Sequence, residues 1–143
     1  MISVKNLKKS FNGKPILKGI SCKFERGKTS LIIGQTGSGK TVFLKCLLGL
    51  HKHDEGEIHF NNKSFESMNE DEKMELRSSI GTVFQGSALF DSMTIEENVM
   101  FPLRMFNNMP LDEMLDKVNL VLKRVELENS NKKMPSEASG GMQ

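Results

Sequence analysis

Gly34-Gln35-Thr36-Gly37-Ser38-Gly39-Lys40-Thr41 is the stretch on which the fold turns. It matches G-x-x-x-x-G-K-[ST], the pattern of a loop that cradles a phosphate chain. A polyphosphate carries several negative charges and is held by backbone N–H groups, and glycines let the backbone curl round it with no Cβ in the way. Val42, Phe43 and Leu44 follow at once, so a helix opens near Lys40 and turns its positive end toward the phosphates. Leu31, Ile32 and Ile33 come just before, and a short apolar run ahead of a glycine reads as a strand buried on both faces. Lys40 would reach the β/γ-phosphates, and the Thr41 hydroxyl would ligate Mg²⁺.

Working outward, residues 2–7 and 20–24 read as short strands, with a turn at Asn12-Gly13-Lys14-Pro15 between them. Residues 41–50 are apolar nearly all round, which predicts a helix buried against a sheet; Gly49 and the charged stretch through Glu55 end it. Residues 56–60 form another strand, Asn61-Asn62 its turn, 71–77 a polar helix and 80–84 a second buried strand. Thr94 and Glu97 make an S/T-x-x-E capping box, and Pro102 is expected to kink or break the helix that follows. Leu111, Met114, Leu115, Val118, Val121, Leu122 and Val125 recur at helical spacing. An α/β nucleotide-binding core over residues 1–85 and a helical subdomain over 86–143 are the organisation this pattern predicts.

Composition narrows the classes. The 143 residues are 37% hydrophobic and 27% charged, as in a soluble globular protein. A net charge of +2, with scattered lysines, gives no footprint for a nucleic-acid partner. No apolar run reaches the ~18–20 residues that span a bilayer, and the first residues lack a secretory pattern, so the chain is expected in the cytoplasm. Cys22 and Cys46 have no metal or redox spacing and read as reduced. His51 and His53 sit in a charged turn and read as solvated surface. With no Trp and no Tyr, a stacking aromatic must be Phe or His.

Three further stretches, in order and at the right distances from the loop, resemble ABC ATPases. Phe11, in Lys9-Ser10-Phe11, lies where that family stacks an aromatic on adenine. Gln85, in Val83-Phe84-Gln85, resembles the glutamine that ligates Mg²⁺ or orients the attacking water. Ala138-Ser139-Gly140-Gly141-Met142-Gln143 resembles the family's signature, with Ala138 in place of the usual Leu. The resemblance implies a P-loop NTPase core with a β-rich N-terminal subdomain and a helical subdomain. It implies ATP and Mg²⁺ as ligands, with Gly34, Gln35, Thr36, Gly37, Ser38, Gly39, Lys40 and Thr41 on the phosphates. Lys40 and Gln85 are then the catalytic groups, and Thr41 and Gln85 the metal ligands. Ser139, Gly140 and Gly141 would contact the γ-phosphate held by a second subunit, in a head-to-tail homodimer that drives an integral-membrane permease. Met100, Met105 and Met109 lie where the family's helical subdomain meets that permease.

A finer resemblance runs through Phe84-Gln85-Gly86-Ser87-Ala88-Leu89-Phe90-Asp91-Ser92-Met93-Thr94, then Glu97-Asn98-Val99 and Phe101-Pro102-Leu103-Arg104. It is similar to the Mla-type ATPases, which power phospholipid transport between bacterial membranes with MCE-domain partners. It implies a subunit peripheral to the cytoplasmic face of the inner membrane. An ABC ATPase for other cargo (lipoprotein, metal, amino acid) or an inactive nucleotide-binding fragment are the other readings. An ABC-fold repair protein fits poorly, because Lys40 to Ser139 is compact and lacks heptads. The family's Asp-Glu strand and later His are not in these residues. The 143 residues alone are therefore expected to be marginally stable and not to hydrolyse ATP.

Overall fold

A computed structural model describes residues 1–84, 86, 88–106 and 108–142. It divides into two compact units, Met1–Gly81 and Thr82–Gln143. In the first, β1 (Ile2–Phe11) pairs antiparallel with β2 (Lys14–Phe24) and with β3 (Glu55–Phe60). β3 turns back into β4 (Lys63–Ser64), giving the sheet order β2-β1-β3-β4. Both turns fall where the sequence marks them. Asn12 and Gly13 (φ 49° and 76°) and Asn61 and Asn62 (φ 48° and 70°) supply the positive-φ pair of a type I′ hairpin, whose twist matches that of the strands. Such a turn needs only two residues, so β1 and β2 run well past the predicted 2–7 and 20–24.

β1 bulges at Asn6 (φ 46°), where its register shifts against both neighbours. The Asn6 amide donates to Ser21 Oγ at 2.8 Å instead of to the ladder. Glycines on both sides, Gly19 and Gly56, give the bulge room: a Cβ would meet Asn6 Oδ1 at 2.7 Å or the Asn6 carbonyl oxygen at 2.5 Å.

Helix α1 (Lys40–Leu47) covers one face of the sheet, and Phe43, Cys46 and Leu47 pack with Val4, Leu7, Leu17 and Ile58. It closes in a Schellman motif, with the Gly49 amide on the Cys46 carbonyl (3.0 Å) and the Leu50 amide on that of Lys45 (2.8 Å). Leu44 stays exposed, so this helix is amphipathic rather than buried all round, and it ends before Leu50, which is exposed too. α2 (Glu70–Ser78) starts at a capping box between Asn69 and Glu72, with three acidic residues facing its positive end.

Residues 30–33 and 80–84, predicted as buried strands, lie outside any strand. Leu31 is 81% exposed, Ile33 84% and Val83 fully. A strand exists only through its ladder, and among the described residues neither run has a ladder partner. Their apolar character promises burial; it does not supply the backbone groups that would complete the pairing.

The second unit is helical. α3 (Ile95–Phe106) and α4 (Leu111–Arg124) share a core of Ile95, Met100, Met114, Val118, Leu122 and Ala138. The predicted capping box forms: Glu97 N donates to Thr94 Oγ1 at 3.3 Å, and Thr94 N to Glu97 Oε2 at 2.8 Å. Pro102 does not break α3, which runs on to Phe106. Proline removes one helical bond, to the Asn98 carbonyl, and the packing on either side outweighs that loss. Met100 is buried in the core, which removes it from any contact role; Met105 is exposed and Met109 half-covered. Thr94→Ala is expected to cost about 1 kcal/mol, read as a lower urea midpoint by circular dichroism.

Candidate nucleotide site

The phosphate loop is built by the junction of loop, helix and hairpin. Gly39, the N-cap of α1, has φ 97°, and a Cβ there would lie 2.9 Å from Ile16 Cγ2 and 3.1 Å from Leu17 Cδ2. Only glycine lets the loop dock against β2 in this conformation and still begin a helix. The Phe43 amide donates to the Gly39 carbonyl at 2.8 Å, which fixes the first turn. Gly34, Gln35, Thr36, Gly37 and Ser38 are exposed ahead of it, tightened by a bond from Ser38 N to the Gln35 carbonyl at 3.1 Å.

Lys40 Nζ donates to the carbonyls of Gly34 (2.7 Å) and Gln35 (2.9 Å), so the ammonium group closes the loop on itself. It stands beside a helix N-terminus, where negative charge is stabilised. An incoming phosphate oxygen is a charged acceptor, and it can replace either neutral carbonyl at the same donor. Thr41 is exposed in the first turn of α1. Its hydroxyl suits a hard cation such as Mg²⁺, which typically keeps several waters and takes further oxygens from phosphate. A cavity of about 560 Å³ adjoins the loop, lined by Phe24, Leu31 and Phe43 among others.

Phe11 ends β1 opposite Lys14, two residues along β2 from the Ile16 that meets Gly39. That places it about 7 Å along the strand from the loop's docking point. Phe11 is 40% exposed. His51 meets it edge-on, with centroids 5.5 Å apart and planes at 73°, and Lys9 Nζ lies 5.2 Å from its centroid. Lys9 is itself held by Asp54 at 2.8 Å, and Asp54 also accepts from Ser10 N at 2.6 Å. The Lys9 bond, and then the Ser10 bond, hold the Asp54 carboxyl below its usual range. Sequence reasoning missed Lys9, His51 and Asp54. The usable signal was Gly49, which ends α1 and returns the chain toward β3, the strand beside β1.

In the helical unit, Ala138 is buried in the core while Ser139, Gly140 and Gly141 are exposed. A Cβ at either glycine would meet open space, so the surface over them is free for another molecule. Met142 N donates to the Ser139 carbonyl at 2.8 Å and closes a turn there. Gln85, with Ser87 and Gln143, lies outside the described residues. Among the described residues no group of three His, Cys, Asp or Glu could hold a metal ion, and both cysteines are free. His53 Nε2 pairs with Glu66 Oε1 at 3.0 Å. No described helix is long and apolar enough to cross a membrane.

Loop, helix dipole and flanking hairpin define a P-loop nucleotide fold, and the chain belongs to the ABC transporter family, whose profile matches residues 17–143. Its α/β architecture is that of the ABC ATPase cassette. It superposes with a TM-score of 0.85, at 31% identity, on an ATP-binding cassette solved as a dimer in a post-hydrolysis state with ADP and Pi; 99% of this chain and 65% of that one are covered. It is 38% identical over 143 residues to the methionine import ATP-binding protein MetN of Clostridium tetani, covering 44% of that protein. It is 39% identical over 143 residues to TRIGALACTOSYLDIACYLGLYCEROL 3 of Arabidopsis thaliana, covering 41%. A probable ribonucleotide transport ATP-binding protein of Mycobacterium leprae is 38% identical over 141 residues, with 41% covered. Each comparison takes in 99% of this chain, which spans less than half the length of these curated relatives.

Proposed function

We propose that these residues form the nucleotide-binding part of an ATP-hydrolysing subunit that drives a membrane permease, with phospholipid or a related lipid as cargo. The carrying observation is Lys40, an ammonium group at a helix N-terminus resting on two replaceable carbonyls. The loop would hold the α- and β-phosphates of ATP through exposed backbone amides. Lys40 would draw the terminal phosphates, and Thr41, with Gln85, would hold Mg²⁺. Bound there, that ion would neutralise charge building on the phosphate oxygens. Phe11 would stack on adenine with its exposed face. Ser139, Gly140 and Gly141 would reach the γ-phosphate of a second copy, arranged head to tail. Such a subunit would sit on the cytoplasmic face of the inner membrane, with an MCE-domain protein as a further partner and no nucleic acid.

Phe11→Ala is expected to weaken ATP binding by about 1–3 kcal/mol, the scale of base–aromatic stacking, while Phe11→Tyr keeps it. Inorganic triphosphate should bind both variants equally. Calorimetric titration reads all three.

The lipid reading rests on the stretch from residue 84 to 104 and on the relative whose name carries a galactolipid. A second reading, amino-acid import, is favoured by the 38% identity to the methionine import protein. Lipid extraction and mass spectrometry of the complete subunit purified with its permease separates them. Co-purified phospholipid, with turnover that rises on adding it, supports the first; turnover that answers to methionine alone replaces it with the second.

A further inference from the structure

We infer that Glu96 is a positioning residue for the segment that presents Ser139, holding it through a three-way clamp with Asn131 and Lys132. This inference rests on the reading of residues 139–141 as a contact for a second subunit's nucleotide. Residues 131–134 are irregular backbone, and such a segment keeps one geometry only when tied down. Here the ties are numerous. Lys132 Nζ donates to Glu96 Oε1 at 2.8 Å, and Asn131 Nδ2 to Glu96 Oε2 at 3.0 Å and to Asn119 Oδ1 of α4 at 2.8 Å. The backbone repeats the attachment, with Glu96 N on the Asn131 carbonyl (3.0 Å) and Ile95 N on that of Lys133 (2.9 Å). The loop thus meets the first turn of α3 at the Glu96 carboxylate and the middle of α4 through the Asn131 amide.

The Glu96 side chain is only 13% exposed. Lys132 is itself 83% exposed, so its bond is open to solvent, and the Asn131 bond with the two backbone bonds carries most of the attachment. The Lys132 bond, then the Asn131 bond, hold the Glu96 pKa below the usual range. From the clamp the chain has few freedoms left before Ser139. Met134 N donates to Glu137 Oε2 at 2.7 Å, and Pro135 and Ala138 are buried. The exposed Ser139-Gly140-Gly141 turn therefore projects from an anchored stem. By contrast, the pair Lys123–Glu128 (3.8 Å) is exposed on both sides and ties nothing to that stem.

The test uses the complete protein and a non-hydrolysable ATP analogue, with dimerisation read by sedimentation and single-site binding by a fluorescent nucleotide at concentrations where it is monomeric. Glu96→Ala should raise the dimer Kd by about tenfold or more, as expected when an anchored contact is allowed to wander by an ångström. Monomer binding should stay within about twofold, because the phosphate loop is in the other unit. Glu96→Gln, which still accepts from Asn131, should fall between, and Asn131→Ala, which removes the ties to both Glu96 and Asn119, should repeat the loss. Glu128→Ala is the control and should change neither. Unchanged dimerisation in folded Glu96→Ala and Glu96→Gln overturns the inference, as does an equal loss of monomer binding. If Glu96→Ala does not fold, Glu96→Gln and Asn131→Ala decide. Unchanged dimerisation in Ser139→Ala and Gly140→Glu would instead remove the reading beneath it.

Discussion

Lys40→Ala should abolish measurable ATP binding at concentrations that saturate the native protein, with affinity down by about a hundredfold or more. The size follows from the contacts exchanged. A hydrogen bond to a charged group contributes roughly 1.5–3 kcal/mol, and the ammonium carries several donors that phosphate oxygens can take. Removing it also leaves the triphosphate without its nearest positive charge beyond the helix dipole. Fold stability should hardly move, because the Gly34 and Gln35 carbonyls that Lys40 now satisfies are exposed and can bond water instead. Lys40→Arg should not restore binding, since a planar fork does not reproduce a compact ammonium inside a tight loop. Calorimetric titration alongside a thermal melt checks both halves. A native-like ATP affinity in Lys40→Ala would remove the nucleotide site from this loop.

Gly56→Ala is expected to unfold the sheet unit, or to destabilise it by about 3 kcal/mol or more, the range reserved for strain that cannot relax. Two penalties coincide. Gly56 sits at φ 100°, a conformation that side chains disfavour, and its Cβ would stand 2.5 Å from the Asn6 carbonyl oxygen and 2.6 Å from that of Lys5. Both are backbone atoms inside a paired strand and cannot swing aside. Gly13→Ala separates the two effects: φ is 76° there too, yet nothing lies within 4 Å. It should lose only the conformational part, about 1–2 kcal/mol. Urea midpoints for the two variants give the difference, and equal losses would mean the bulge at Asn6 can yield.

What was legible in the sequence was local. The turns at Asn12-Gly13 and Asn61-Asn62, the box at Thr94 and Glu97, and the helix read from the stripe Leu111 to Val125 each depend on residues within a few positions, and each stands in the structure, although Leu111, Val121 and Val125 of that stripe are exposed. The glycine-rich loop and the start of its helix at Lys40 were legible for the same reason. Contacts made across the chain were not. The bulge at Asn6 needs two glycines from other strands, and no periodicity announces it. The ring contact of His51 with Phe11 arises from the pairing of β1 with β3, so a histidine in a charged turn reads as surface until that pairing is known. The runs at 30–33 and 80–84 show the converse: apolar sequence states a preference for burial, and the ladder that would satisfy it is a property of two segments, never of one.

The bonds from Lys40 to its own loop make those carbonyls competitors of any anion that would take the same ammonium group. A tethered ligand cannot be diluted away; it acts at an effective concentration set by the few residues between Lys40 and Gly34. On the proposed reading, ATP would have to displace those carbonyls, and its apparent affinity would be the intrinsic one reduced by the fraction of time Lys40 is free. On that reading, a diphosphate that needs the same ammonium group would meet the same internal rival. The tether would therefore lower triphosphate and diphosphate affinity by one common factor, and leave the difference between them to the contacts each makes once Lys40 is released.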